Sequence, residues 1–370
     1  MTAPPAITFV SSHARLGGEE RYLSLLLEGL GPEWVRSVVC LEDGPYVGVL
    51  REAGHRVEVV PTGTRAPGIA SGAVRLRRLL ARQHPALVHA NGVKAAVVSA
   101  LATSGSRVPL LWLKHDFSFD GRIGRWVGAR SRLVVGVSRA VTETFGGAAN
   151  VRVVNNGLPP LSADRTEGRR RLEKALGLPG GGPIVMLMAR IDPLKGHGEL
   201  VSILPELLEL VPGTRVAFMG EEYDLHRAYA ERIRREIAGA GVTGSVAFLG
   251  YRSDAVELLA GSDVLVIPTV VDAQGRGREG FPYAALEALA VGTVVVGYAR
   301  GGLPELLGDC GVLVQPDDRA ALREGLVRVL SDPAERKRLA ACGRERVRER
   351  FGLEPMIEAM KAHYLEVARP

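Results

Sequence analysis

The second half of the chain holds two cations and two carboxylates whose spacing suits a phosphorylated sugar. Met186-Leu187-Met188-Ala189 reads as the end of a strand, and Arg190-Ile191-Asp192-Pro193-Leu194-Lys195-Gly196 as a loop that opens a helix. Arg190 and Lys195 therefore sit together at a strand end. Paired cations there suit a diphosphate, whose departing charge needs neutralising; taken alone, they are equally two solvated loop cations. Further on, Glu279-Gly280-Phe281-Pro282-Tyr283 leads into a helix that runs to Gly292. Pro282 suits the first helical turn, where its missing N–H would be unpaired anyway. Glu279 lies in the loop before it, and Glu287 falls about two turns along the helix amid Ala and Leu. An acid on a buried helix side is costly unless it is paired or holds a ligand. Two such carboxylates divide naturally between sugar hydroxyls and a ribose, although Glu287 alone is also consistent with a surface salt bridge. In the first half, Gly17 and Gly18 precede a helix with an acidic first turn. A helix N-terminus offers free N–H groups and a positive dipole end, and glycine lets a phosphate approach closely. A simple tight turn is the plain alternative.

Positioning these groups requires a repeated strand–helix framework, and the chain has one. Short apolar runs begin at Ile7, Ser37, Val57, Ala86, Pro109, Leu133 and Val151, with helical patterns between them. Near-continuous apolar runs of this length are the mark of buried parallel strands. The turn-rich segment Leu158-Pro159-Pro160-Leu161-Ser162-Ala163-Asp164 interrupts the alternation, which restarts with runs at Pro183, Thr214, Ser245, Asp263, Thr293 and Gly311. Strand–helix alternation implies right-handed βαβ units and doubly wound sheets. The expected organisation is a first domain over 1–160, a second over 165–350, and a final helix over 351–370 with no strand after it, free to cross back to the first domain. Ligands of open parallel sheets lie beyond the carboxyl ends of the strands, so a cleft between the domains is the expected site.

Composition narrows the class. In 370 residues, 46% are hydrophobic and 24% charged, as in ordinary globular proteins. No apolar run approaches the roughly 18 to 20 residues of a membrane span, and the start carries no basic-then-apolar leader. Cys40, Cys310 and Cys342 are scattered without a CxxC, which points to reduced thiols and away from zinc. The charge is uneven: residues 1–160 hold 19 Lys and Arg against 11 Asp and Glu, and the remainder 28 against 30. Arginine greatly outnumbers lysine, and a codon-biased genome is the plain explanation of the basic half. Around Val74-Arg75-Leu76-Arg77-Arg78-Leu79-Leu80-Ala81-Arg82 the charge also suggests a basic amphipathic helix and an anionic partner such as a membrane surface. A helix packed on a sheet with a solvated basic face has the same pattern. No nucleic-acid motif is present, and aromatics are only 5%.

Taken in order, these segments resemble the retaining GT-B glycosyltransferases of glycosyltransferase family 4 over nearly the whole length. The supporting pieces are Gly17-Gly18-Glu19-Glu20-Arg21, Val88-His89-Ala90-Asn91-Gly92, Val135-Gly136-Val137-Ser138 and Val153-Val154-Asn155-Asn156-Gly157. Stronger are Arg190 with Lys195-Gly196, Phe248-Leu249-Gly250, and Gly261-Ser262-Asp263 through Pro268. The strongest is Glu279-Gly280-Phe281-Pro282 through Glu287, followed by Gly301-Gly302-Leu303-Pro304-Glu305.

The resemblance implies two Rossmann-like doubly wound domains facing an interdomain cleft, the first binding the acceptor and the second the nucleotide-sugar. It implies that Arg190 and Lys195 grip the donor diphosphate, Glu287 the ribose hydroxyls, and Glu279 the donor sugar. Main-chain N–H groups of Gly280, Phe281 and Tyr283 would touch sugar and phosphate, while Pro282 has none to offer. Gly17 and Gly18 would shape the first-domain loop. His115 matches the family's histidine near the reacting sugar; a histidine merely held by Asp116 in a structural loop is the alternative. His89 fits a position that often reads His-x-His, but Asn91 replaces the second histidine, so no catalytic role is carried to it. The loop from Val270 to Arg278 is longer than in many members and is assigned to acceptor contact.

The implied reaction moves a sugar from a nucleotide-sugar, UDP-linked before GDP-mannose, to a hydroxyl of a glycan, lipid or natural product. It proceeds with retention and needs no metal and no cofactor. The expected location is cytoplasmic, peripheral at the inner face of a membrane. A non-transferring relative such as a nucleotide-sugar epimerase, or a non-catalytic nucleotide-binding scaffold, remains the alternative.

Overall fold

Thirteen short apolar runs form thirteen parallel strands in two sheets among the described residues of the computed structural model, 4–178 and 181–369. The chain divides into two compact units, one comprising residues up to Pro159 together with Leu353 onward, the other Pro160–Gly352.

The N-terminal unit runs β1 (Ile7–Ser11), α1 (Gly18–Leu30), β2 (Val35–Cys40), α2 (Pro45–Glu52), β3 (Val57–Val59), α3 (Ala66–Gln83), β4 (Leu87–Asn91), α4 (Val93–Ala102), β5 (Leu110–Lys114), α5 (Arg122–Arg130), β6 (Leu133–Gly136), α6 (Arg139–Thr142) and β7 (Val151–Val153). The sheet order is β3-β2-β1-β4-β5-β6-β7. β1, β4 and β5 are buried at every position, because helices cover both faces and no solvent side remains for polar alternation.

The second unit runs α7 (Arg165–Leu176), β8 (Ile184–Met188), α8 (His197–Leu210), β9 (Arg215–Met219), α9 (Arg227–Gly239), β10 (Val246–Gly250), α10 (Ala255–Gly261), β11 (Val264–Ile267), α11 (Tyr283–Val291), β12 (Val294–Tyr298), α12 (Leu303–Leu307), β13 (Val312–Val314), α13 (Arg319–Ser331) and α14 (Pro333–Arg350). Its order, β10-β9-β8-β11-β12-β13, repeats that of the first. Each sheet therefore reverses direction once, between β1 and β4 in one and between β8 and β11 in the other.

The last helix, α15 (Leu353–Val367), packs in the N-terminal unit. Its Tyr364 is fully buried, shares a 2.7 Å hydrogen bond with His89 Nδ1, and meets the Phe9 ring edge-on. Gly157 N–H donates to Met356 Sδ at 3.2 Å, which fixes the start of the helix. In the other unit, the buried Asp263 carboxylate receives Arg165 at 2.7 Å, Arg169 at 2.6 Å and the Ile184 N–H at 2.8 Å. That cluster ties α7 to the first strand of its sheet. No described helix is long and apolar enough to cross a membrane.

Two local expectations are corrected. Pro282 precedes the helix as its N-cap, with ψ 122°, so α11 starts one residue later, at Tyr283. Cys310 and Cys342 are bonded to each other rather than reduced, and only Cys40 is free. Nothing in the spacing reveals the pair, because β13 and α13 fold between the two cysteines before α14 brings their Cα atoms to 5.2 Å. Denatured without reductant, the protein should release one thiol to a thiol reagent; three would show that the bridge does not form. Reducing it should cost about 3 kcal/mol of stability.

Three histidines are buried neutral. Desolvation lowers His89 to about 3, with His115 adding to the effect. It lowers His115 to about 4 against Asp116, and His197 to about 4 against Asp192. Below pH 6.5 the unfolded chain binds protons at these rings and the folded chain does not, so stability must fall as pH drops from about 6.5 to about 4. At pH 5 the loss should be on the order of 2 kcal/mol for each histidine. Denaturant titrations at pH 7 and pH 5 measure it, and an unchanged midpoint would show that the rings are hydrated.

Candidate functional site

In both units, residues singled out in the sequence lie in the loops that leave the strands at the reversal point: Gly17 and Gly18 after β1, Arg190 and Lys195 after β8, and Glu279 after β11. In a doubly wound sheet, neighbouring strands whose connections leave toward opposite faces keep a gap at their carboxyl ends, and ligands enter there.

In the second unit, β8 delivers Arg190 and Lys195 and β11 delivers Thr269 and Glu279. Asp192 organises the first loop: its Oδ1 accepts the Leu194 N–H at 2.8 Å, and its carbonyl accepts the Lys195 N–H at 3.0 Å. The loop is stitched to its neighbour where Val270 N–H donates to the Leu194 carbonyl at 3.1 Å. Lys195 Nζ lies 2.6 Å from Glu279 Oε1, which also receives the Thr269 hydroxyl at 3.2 Å. Both members of the ion pair are partly exposed, at 28% and 18%. Arg190 is exposed, and its guanidinium lies 5.1 Å from the Tyr223 ring centre. Arg300, just past β12, braces the far side by donating to the Thr269 carbonyl at 2.8 Å while it pairs with Asp317 at 2.6 Å.

Glu287 is buried on α11, only 4% exposed. Phe281 is also buried, edge-on to Phe351 at 5.2 Å. Its side chain is thus an anchor for the loop, and only its main chain is available to a ligand. Gly280 and Tyr283 are buried beside it. The loop from Val270 to Arg278 is organised by Asp272, which accepts the N–H groups of Gln274 at 3.0 Å and Arg276 at 2.9 Å and pairs with the Arg276 guanidinium.

In the N-terminal unit, β1, β4 and β5 converge. Gly17 is the N-cap of α1 and Gly18 its first residue, both exposed. Ser12 Oγ donates to the Asn91 carbonyl at 2.9 Å and accepts the Ala95 N–H at 3.0 Å. A Cβ at Gly92 would fall 2.6 Å from Ser12 Oγ, and φ there is +86°, so glycine is required. His115 is nearly buried, edge-on to Tyr22 at 5.2 Å, with Nε2 2.7 Å from Asn91 Oδ1. Asp116 does not hold the ring; its carboxylate accepts the Ser118 N–H and hydroxyl. The preceding Lys114, fully buried, pairs with Asp120 at 2.7 Å and donates to the Asp116 carbonyl. Glu19 is half-buried at the start of α1, and its carboxyl is pushed well above the usual range by desolvation, then by Asp116 and Glu20.

Two family models cover this arrangement: "Glycosyltransferase Family 4" matches residues 16–160 and "Glycosyl transferases group 1" matches residues 168–346. The chain belongs to glycosyltransferase family 4. This glycosyltransferase is 29% identical over 301 residues to the GDP-mannose-dependent alpha-(1-6)-phosphatidylinositol monomannoside mannosyltransferase of Mycolicibacterium smegmatis, covering 78% of this chain and 72% of that one. It is 31% identical over 230 residues to the 2-deoxystreptamine glucosyltransferase of Streptomyces kanamyceticus, covering 60% and 56%. In fold it matches HepE of Anabaena, solved in complex with UDP, at 24% identity and a TM-score of 0.84 over 98% of this chain and 99% of that one. A glycosyltransferase structure from Rickettsia africae superposes with a TM-score of 0.85 at 19% identity, covering 99% of each chain. The architecture is GT-B.

Several residues around the glycosyltransferase site escaped the sequence reading. Thr269 and Arg300 each follow a strand, which is a usable signal. Asn91 ends a strand, and had been set aside because it replaces a histidine. Asp192 and Tyr223 carry no pattern of their own. Gly301 is also informative. Its φ is +61°, and a Cβ there would lie 2.2 Å from the Glu279 carbonyl oxygen. Gly301→Ala must therefore displace the Glu279 backbone. We expect about 1–3 kcal/mol of lost stability and a larger loss of turnover than of fold, read by thermal denaturation beside an activity assay. Unchanged values for both would show that the loops are not in contact.

Proposed function

We propose that this glycosyltransferase moves a hexosyl unit from a nucleotide-sugar to an acceptor hydroxyl with retention at the anomeric carbon and without a metal. The observation that carries the reading is the meeting of Lys195, Glu279 and Thr269 at the reversal point of the second sheet, with Arg190 on the same loop as Lys195. Arg190 and Lys195 bind the diphosphate, Glu287 the ribose hydroxyls, and Glu279 the donor sugar. Main-chain N–H groups of Gly280, Phe281 and Tyr283 add contacts to sugar and phosphate. Until a diphosphate arrives, Glu279 neutralises Lys195 and holds its ammonium in place.

In the reaction, the bond from the anomeric carbon to the β-phosphate oxygen breaks and its electron pair goes to the phosphate. The acceptor oxygen bonds to the same face of the sugar, and its proton passes to the departing phosphate. Cations aimed at the leaving oxygen stabilise the charge that builds there. The N-terminal unit, with Gly17, Gly18 and His115, serves the acceptor and the reacting sugar.

A UDP-sugar is favoured by the HepE complexes with UDP and UDP-glucose, with GDP-mannose next, as in the mannosyltransferase named above. For the acceptor, an anionic or membrane-surface molecule is favoured by charge. Residues 61–140 hold 13 Lys and Arg against 2 Asp and Glu. Many of these arginines, among them Arg75, Arg78, Arg82, Arg122 and Arg125, are exposed on α3 and α5. A basic surface of this kind raises the local concentration of anionic partners.

Incubation with a panel of nucleotide-sugars should release nucleoside diphosphate in an acceptor-dependent way. Lys195→Ala should cut turnover by about 100-fold or more, as loss of one oxyanion donor does elsewhere. A near-normal rate refutes the role given to Lys195. Nucleotide binding without turnover across a full acceptor panel would instead favour a scaffold.

A further inference from the structure

The contacts around Asn91 settle a question of protonation at His115. Asn91 is fully buried at the end of β4, and its two amide atoms face different partners. Nδ2 donates to the Glu19 carbonyl at 3.2 Å, and Oδ1 lies 2.7 Å from His115 Nε2. Turning the amide over would set its oxygen against the Glu19 carbonyl, two acceptors face to face, so the Glu19 contact fixes which atom meets the histidine. An amide oxygen can be met only by an N–H. Nε2 therefore carries the hydrogen. In a neutral imidazole the other nitrogen then holds a lone pair, and burial keeps this ring neutral, with its pKa near 4. Nδ1 has no partner among the described residues. The Tyr22 ring, edge-on at 5.2 Å, fixes the imidazole plane.

We infer that Asn91 is a positioning residue: its Oδ1 locks His115 as the Nε2–H tautomer, leaving Nδ1 to accept a hydrogen bond from a hydroxyl of the bound sugar. A neutral acceptor at this position cannot neutralise a phosphate, so the charge of the leaving group falls to the cations of the other unit. The identity of the hydroxyl rests on the glycosyl-transfer reading; the tautomer does not.

The test has two parts. In ligand-free protein labelled with 15N-histidine at pH 7, the His115 signals are those missing from His115→Gln. They should show a protonated, pyrrole-type Nε2 and a pyridine-type Nδ1. A hydrogen on Nδ1, or on both nitrogens, overturns the inference whether or not any sugar is transferred. The second part is a double-mutant cycle on turnover. Asn91→Leu should lower kcat by about 10- to 100-fold, by analogy with the loss of a hydrogen-bond partner that orients a metal-binding histidine. In a His115→Ala background the same change should cost less than about 2-fold. Asn91→Asp keeps an acceptor for Nε2–H and should lose less than Asn91→Leu. Equal losses in both backgrounds would mean that Asn91 only supports the fold, and would overturn the inference.

Discussion

At β8 and β11 the chain leaves two neighbouring strands for opposite faces of one sheet, and helix packing cannot fill the gap between those departures. The constraint is topological, since right-handed crossovers from a strand order that reverses must diverge there. The Lys195–Glu279 ion pair of the second unit forms beside it. The loop after β8 brings a lysine, the loop after β11 brings a carboxylate and a threonine, and α11 begins where the second loop ends. The N-terminal sheet repeats the arrangement at β1 and β4 with another set of groups: a glycine pair, a buried amide and a buried imidazole.

The two sets differ in electrostatic character. In the second unit the groups are charged, partly exposed and mutually paired, so they can exchange one partner for another at modest cost. In the N-terminal unit the central groups are buried and neutral. His115 and His89 lose their charge to desolvation, and Glu19 is held toward its protonated form in the same way. Buried neutral polar groups need complete hydrogen bonding, which accounts for the close fit of Ser12, Asn91 and Gly92. Lys114, also buried there, is matched by Asp120.

Away from the sites, the same rule holds the framework together. Asp263 is buried and would be costly alone, yet it receives two arginines and a backbone N–H, and so locks the first helix of its unit to the first strand. Tyr364 acts similarly for α15, carrying a hydroxyl into the N-terminal core to meet His89. Both contacts join segments far apart in sequence, through side chains that are unremarkable in their own neighbourhoods.

Strand identity, strand–helix alternation, the loops that carry Arg190, Lys195 and Glu279, and the helix that carries Glu287 were legible from the chain because they depend on local apolar runs and on which residue follows a strand. Those signals survive in one dimension. The Cys310–Cys342 bond, the pairing of Lys195 with Glu279, the bracing by Arg300 and the hold of Asn91 on His115 were not legible. Each depends on two segments brought together by the fold, and sequence distance says nothing about which segments become neighbours. Asn91 makes the point most clearly: in sequence it is a missing histidine, whereas in the fold its amide is clamped between a carbonyl and an imidazole, and only that clamp decides which ring nitrogen carries the hydrogen.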